Sequence, residues 1–168
     1  MDKMHLITEA QIWKLLQTVP DPEVPVISVV ELGIIQYVDV SESGAVHIAM
    51  TPTFAGCPAV EMMQNDMRSA LDSANITDVR IDIVYDPPWT SDRITDDGRR
   101  KLKEFGLAPP PPLQGRTDGS MILLVEQIEC PFCDSKQTRL ESPFGPTLCR
   151  AIYYCNACNQ SFELFKPL

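Results

Sequence analysis

Histidine is scarce in this chain: 168 residues hold two, His5 and His47. Neither has a spacing to serine or cysteine that signals a nucleophile with its base, so hydrolysis of that kind has no support in the sequence. Neither a G-x-G-x-x-G run nor a Walker loop occurs, which removes the usual phosphate cradles. Basic residues are outnumbered, 14 Lys and Arg against 23 Asp and Glu, for a formal net charge of −9. Phosphate backbones and anionic lipid surfaces attract the opposite sign, so neither nucleic acid nor a membrane is expected as a partner. No run approaches the roughly 18 to 20 apolar residues of a membrane span; residues 121–125, MILLV, are five. The opening MDKMHLITEA lacks the apolar core and cleavage site of a secretory signal. A cytoplasmic, reducing setting is therefore expected. There, six cysteines read as metal ligands or reactive thiols before disulfides.

What is present is a globular composition with one abrupt break. Prolines 109–112, followed by Gly115, Asp118, Gly119 and Ser120, read as a semi-rigid linker over residues 108–121. It separates a first unit, residues 1–107, from a second, residues 122–168. The charge divides unevenly at that join: residues 1–107 carry −8 and residues 108–168 carry −1.

In the first unit, Thr8 with Gln11 is a capping-box pattern, and Ile12, Leu15, Leu16 and Val19 share one helical face. Alternating residues at 34–40 and 46–51, joined by a Ser-Glu-Ser-Gly turn, predict a hairpin. Pro58 is expected to open a second helix, with Val60, Met63, Met67, Ala70 and Leu71 on one side. Val79, Ile81, Ile83 and Tyr85 alternate as a third strand, and a last helix runs from about Thr95 to Phe105, stopped by Gly106. The order is α-β-β-α-β-α, an α+β unit with a small mixed sheet.

The second unit carries Cys130-Pro-Phe-Cys133 and Cys155-Asn-Ala-Cys158, separated by 21 residues. Two thiolates three positions apart on a tight knuckle hold two corners of a tetrahedron, and a second knuckle supplies the others. Asp134 and Asn159 follow the knuckles, where a left-handed backbone is wanted. Strand-like runs at 122–128, 149–154 and 162–165 flank them. A zinc-ribbon-like β domain follows, whose small core makes the metal a major source of folding energy. Zinc is the expected ion, iron in a rubredoxin-like site the alternative, and disulfides or free thiols the reading without metal. With no histidine or open position the site is expected to be structural. Cys149, six positions before Cys155, reads as a small buried hydrophobe or as a thiol able to exchange with a ligand.

Cys57 stands apart in TPTFAGCPAVEMM. It leaves a strand and precedes a helix, at or near the N-cap, where backbone N–H groups and the helix dipole favour a thiolate. The alternative is an inert cysteine packed under the loop. Asp21 and Glu23 lie in the proline-bracketed loop DPEVPVISVVELG; carboxylates with a thiolate can hold iron transiently, while solvation and helix capping are their commoner uses. His5 is expected to be solvated, and His47 on the hairpin receives no role.

Three motifs in order, DPEVPVISVVELGII, TPTFAGCPAVEMM and WTSDRITDDGRRKLKEFG, resemble the SufT-like metal–sulfur cluster assembly domain family. The tail from Glu129 to Lys166 resembles the zinc ribbon of one branch of that family, the PaaD branch, encoded with the phenylacetyl-CoA epoxidase system of aerobic phenylacetate degradation. The resemblance implies that Cys57 is the cluster-handling residue and that Asp21, Pro22 and Glu23 are the DPE motif. It also implies a transient iron or iron–sulfur cargo. The implied partners are the epoxidase components, the di-iron oxygenase subunit and the iron–sulfur reductase subunit. The first unit lacks the cysteines for a permanent cluster, so one would need ligands from a homodimer mate or a partner. Three roles stay open: maturation factor, non-catalytic structural subunit of the oxygenase, or rubredoxin-like electron carrier.

Overall fold

The structure, a computed structural model, describes residues 7–112 and 128–166. Residues 1–6, with His5, and residues 113–127, with most of the expected linker and all of the 122–128 run except Ile128, lie outside the described residues. The chain divides into two compact units, residues 1–89 and 90–168.

In the first unit, helix α1 (Glu9–Leu16) starts on the expected capping box: the Thr8 side chain accepts from the Gln11 N–H while the Gln11 side chain returns to the Thr8 N–H. Its residues Ile12 and Leu16 are fully buried. Strands β1 (Ile35–Val40) and β2 (Val46–Met50) pair antiparallel. The turn between them uses Gly44 at φ +86°, where an L side chain is disfavoured. Helix α2 (Val60–Asp72) then crosses to β3 (Val79–Ile83), which lies parallel to β2. Met63, Met67 and Leu71 of α2 are buried at a four-residue spacing, the stripe that covers a sheet. Val24, Ile27, Val29 and Leu32 from the loop after α1 are buried as well. Trp89 closes the unit, donating its indole N–H to the Leu32 carbonyl at 3.0 Å.

The third strand is shorter than its alternation predicts. Val84 N–H still reaches Met50 O at 2.9 Å, but Ile83 and Tyr85 are exposed.

The second unit contains α3 (Asp96–Phe105), β4 (Leu107–Ala108), β5 (Thr138–Ser142), β6 (Arg150–Cys155) and β7 (Gln160–Phe165). The sheet order is β4-β7-β6-β5, with β4 parallel to β7 and the other pairs antiparallel. Its core is Ala108, Ile128, Cys130, Ala151, Tyr153, Cys155, Phe162 and Leu164. The division at Trp89 differs from the expected boundary at residue 107. Leu107 and Ala108 pair with Glu163 and Leu164 of β7, and Lys103 reaches Glu129 and Asp134, so α3 and β4 group with the four-cysteine sheet. Strand β5 has no counterpart among the strand-like runs of the sequence, because TRLES is polar and mostly exposed. Among the described residues no helix is long and apolar enough to cross a membrane.

Candidate metal centre and the Cys57 loop

Each knuckle turns through a left-handed residue. Asp134 has φ +60° and Asn159 φ +57°, as their positions after the CxxC pairs predict. In the first knuckle, the Asp134 N–H donates to Cys130 O at 3.0 Å and the Cys130 N–H to Ser135 O at 2.9 Å. Folded this way, the pairs bring all four sulfurs within 4.8 Å of one another. Cys130 and Cys158 Sγ are 3.7 Å apart, and Cys133 and Cys155 Sγ 3.6 Å. A tetrahedron with metal–sulfur bonds of about 2.3 Å has edges of about 3.8 Å, so the residues fit a single tetrahedral ion. The separations exceed the roughly 2.05 Å of a disulfide, and none of the six cysteines is in a disulfide.

Cys130 and Cys155 are buried while Cys133 is exposed, so the site has a dry side and an open side. Without metal, backbone N–H groups of Cys158 and Ala157 bring the Cys155 thiol down to about 7. Burial pushes Cys158 up to about 12. Four thiolates complete the tetrahedron, leaving no open coordination position. Lys103, pairing with Asp134 at 2.6 Å and Glu129 at 2.7 Å, is held above the ordinary lysine value by those two carboxylates, Asp134 foremost.

Cys149 is buried, with its sulfur 3.1 Å from Thr147 Oγ1 and its carbonyl accepting from Lys166 N–H at 2.8 Å. It precedes β6, whereas Cys155 ends that strand. Six residues of extended chain span about 20 Å. Cys149 is not in the group of four cysteines whose sulfurs lie in mutual reach.

Cys57 is half-buried, in a loop turned by Gly56 at φ +85°. Its N–H donates to Phe54 O at 3.3 Å, and its carbonyl accepts from Val60 N–H at 3.4 Å. The N-cap of α2 is Ala59 and has no side-chain cap, so the helix begins later than Pro58 and Cys57 stands two residues ahead of the cap. Near it in sequence Ala55, Gly56, Pro58 and Glu61 are exposed, as is Met62 at 54%. Thr51, immediately after the preceding strand, is buried, and its Oγ1 accepts from Gln36 Nε2 at 2.5 Å.

Asp21 is buried, and its Oδ1 accepts from the Glu23 and Val24 N–H groups at 2.8 Å each. Glu23 is half-buried. Among the described residues, Cys130, Cys133, Cys155 and Cys158 are the group of three or more ligand side chains in mutual reach; Cys57, Asp21 and Glu23 do not form another. Glu31, to which the sequence reading gave no role, is 3% exposed. Its Oε2 accepts from Ser28 N–H at 2.9 Å, and its N–H donates to Ser28 Oγ at 3.1 Å. The Ser-x-x-Glu spacing of residues 28–31 is the signal that could have found it. His47 has partners too: Nε2 lies 2.8 Å from Asp82 Oδ2, which also pairs with Arg80 Nε at 2.8 Å, and Nδ1 lies 3.4 Å from Tyr37 Oη.

The geometry is thus a small mixed-sheet unit with one half-buried loop cysteine, followed by a ribbon with four thiols in mutual reach. Residues 9–83 match the family model described as iron–sulfur cluster assembly protein. Residues 119–166 match the PaaD zinc beta ribbon domain. The chain is 39% identical over 156 residues to an Escherichia coli (strain K12) protein named as one subunit of a "Putative 1,2-phenylacetyl-CoA epoxidase", covering 93% of this chain and 91% of the relative. It is 37% identical to an Fe-S protein maturation auxiliary factor of Porphyromonas gingivalis, covering 61% of this chain and 97% of that protein. A crystal structure of a DUF59 domain of unknown function from Bacillus anthracis superimposes with a TM-score of 0.53 at 27% identity, over 56% of this chain and 90% of that one. The chain belongs to the iron–sulfur cluster assembly protein family, in the branch that carries the PaaD zinc ribbon.

Proposed function

We propose that this protein is an accessory factor for iron-centre or iron–sulfur maturation in a phenylacetyl-CoA epoxidase system. The observation that carries the reading is Cys57, half-buried on an exposed turn within the stretch matching the assembly family. A site meant to keep a cluster needs three or four ligands. A site meant to pass one on is better served by a single accessible thiolate, because a weakly chelated metal leaves by ligand exchange. In that exchange the bond from iron to Cys57 Sγ breaks as a bond to an already ionised client thiolate or carboxylate forms; Cys57 leaves as a thiolate, and no electron moves. Asp21 and Glu23 form no ligand group with Cys57, so in this proposal they assist only by approaching it when iron is held, and Asp21 also shapes its own loop through Oδ1. The cargo is transient iron or an iron–sulfur cluster, and the clients are the reductase and di-iron oxygenase components. The four-cysteine site holds zinc as a structural ion, consistent with its full set of thiolates. Zinc there would stabilise the ribbon and supply no redox chemistry.

The test is co-expression of the epoxidase components with wild-type protein or with Cys57→Ser, followed by iron and acid-labile sulfide analysis of the purified components. Lower loading with Cys57→Ser is expected. Equal loading rejects the Cys57 mechanism, and stable stoichiometric co-purification in both cases then favours a structural subunit. Iron rather than zinc in the ribbon, lost together with electron transfer on removal, favours an electron carrier.

A further inference from the structure

The two knuckles are supported differently. The second is backed from within the ribbon: Arg139 of β5 stacks on Tyr154, 4.3 Å from the ring centroid, and donates to Asn156 Oδ1, while Tyr154 Oη reaches Asn159 at 3.4 Å. The first is held from α3. Lys103 Nζ bridges the residues on either side of its cysteines, Glu129 before Cys130 at 2.7 Å and Asp134 after Cys133 at 2.6 Å. Phe132, between the cysteines, lies over Gly106 so closely that a Cβ there would sit 3.1 Å from its ring. Gly106 is the left-handed C-cap of α3, at φ +89°, so the end of the helix is fixed against the knuckle that Lys103 spans.

Charge explains why a lysine belongs there. A divalent ion in four thiolates carries two net negative charges. Glu129 and Asp134 add two more at the edge of the knuckle whose Cys133 is exposed. The two carboxylates repel each other across the knuckle, and a cation between them holds both ends of the knuckle in place. We infer that Lys103 is a positioning residue for the metal-binding knuckle, clamping its two flanking carboxylates and so coupling metal retention to the last turn of α3. This rests on the metal reading of the four-cysteine site and is independent of Cys57. Such coupling is reciprocal: a residue that strengthens metal binding is itself held more firmly when the metal is bound.

The experiment follows zinc release from the full-length, zinc-loaded chain into excess chelator, at low and high salt. Lys103→Met is expected to release zinc about fivefold faster at low salt. The difference shrinks at high salt, where screening weakens the lysine's contribution in the wild type. Lys103→Arg restores slow release. Arg100→Met is the control, since Arg100 pairs with Asp97 and Glu104 on the same helix; its release stays at the wild-type rate. Hydrogen exchange over residues 99–108 is expected to rise on zinc removal in the wild type and to change less in Lys103→Met. Wild-type release from Lys103→Met, or equal acceleration by Arg100→Met, overturns the inference. A wild-type chain that retains no tightly bound metal overturns both this inference and the metal reading beneath it.

Discussion

The carboxylate of Asp21 works inside the fold, where two backbone N–H groups converge on Oδ1. Replacing it with alanine leaves both donors without that acceptor in a buried loop, at a cost of about 2–3 kcal/mol. Asparagine keeps an oxygen in place and is expected to cost about 1 kcal/mol. Denaturant midpoints of the two variants check the order, and equal midpoints would remove the capping role. Asp21 is visible in the sequence as a candidate ligand, but its capping geometry depends on a turn conformation that composition does not specify. Glu31 is harder to read because an acid amid VVELG suggests a surface; the structure buries it by pairing it with Ser28. Asp134 and Asn159 are legible because a knuckle imposes a local backbone demand on the residue that follows it.

At the scale of elements, the β2 and β3 pairing aligns His47 with Arg80 and Ala49 with Asp82. The face this creates gathers Tyr37, His47, Arg80 and Asp82. The Arg80 guanidinium first, then His47, holds the Asp82 carboxyl below the ordinary aspartate value. A depressed folded-state value contributes stability above the unfolded value, about 3.9. That contribution is lost as pH falls through the folded value. Urea stability measured from neutral pH into this acid range should therefore fall less steeply in Asp82→Asn than in wild type; identical slopes would deny the pairing in solution. Local periodicity is enough to identify α1, β1, β2 and α2, whose buried residues recur at regular spacing. It is not enough to assign α3 to its unit, because that grouping depends on Leu107 and Ala108 pairing with β7, more than 50 residues later in sequence.

The whole molecule contains two cores of different kinds. Residues 7–89 bury Ile12, Leu16, Ile48, Met67 and Leu71, an apolar interior that contains none of the four ribbon cysteines. The second core includes two ligand cysteines, Cys130 and Cys155, among its eight buried members. Removing the metal from that core leaves buried thiols in place of coordinated thiolates, and metal-binding energy is folding energy in so small a unit. A strong chelator is therefore expected to raise hydrogen exchange throughout β5, β6 and β7. Exchange in α1, α2 and β1 to β3 should stay near its starting level. Acid should act in the same direction, since protonating the thiolates releases the ion. Mass spectrometry of exchanged peptides before and after chelation separates the two responses. Exchange rising equally in both units would mean that one cooperative transition joins them, and unchanged exchange in β5 to β7 would mean that the ribbon folds without its metal. The expected split would make the ribbon a metal-dependent module whose loss leaves the Cys57 loop folded, so the proposed iron delivery and ribbon metallation could be measured separately in one protein.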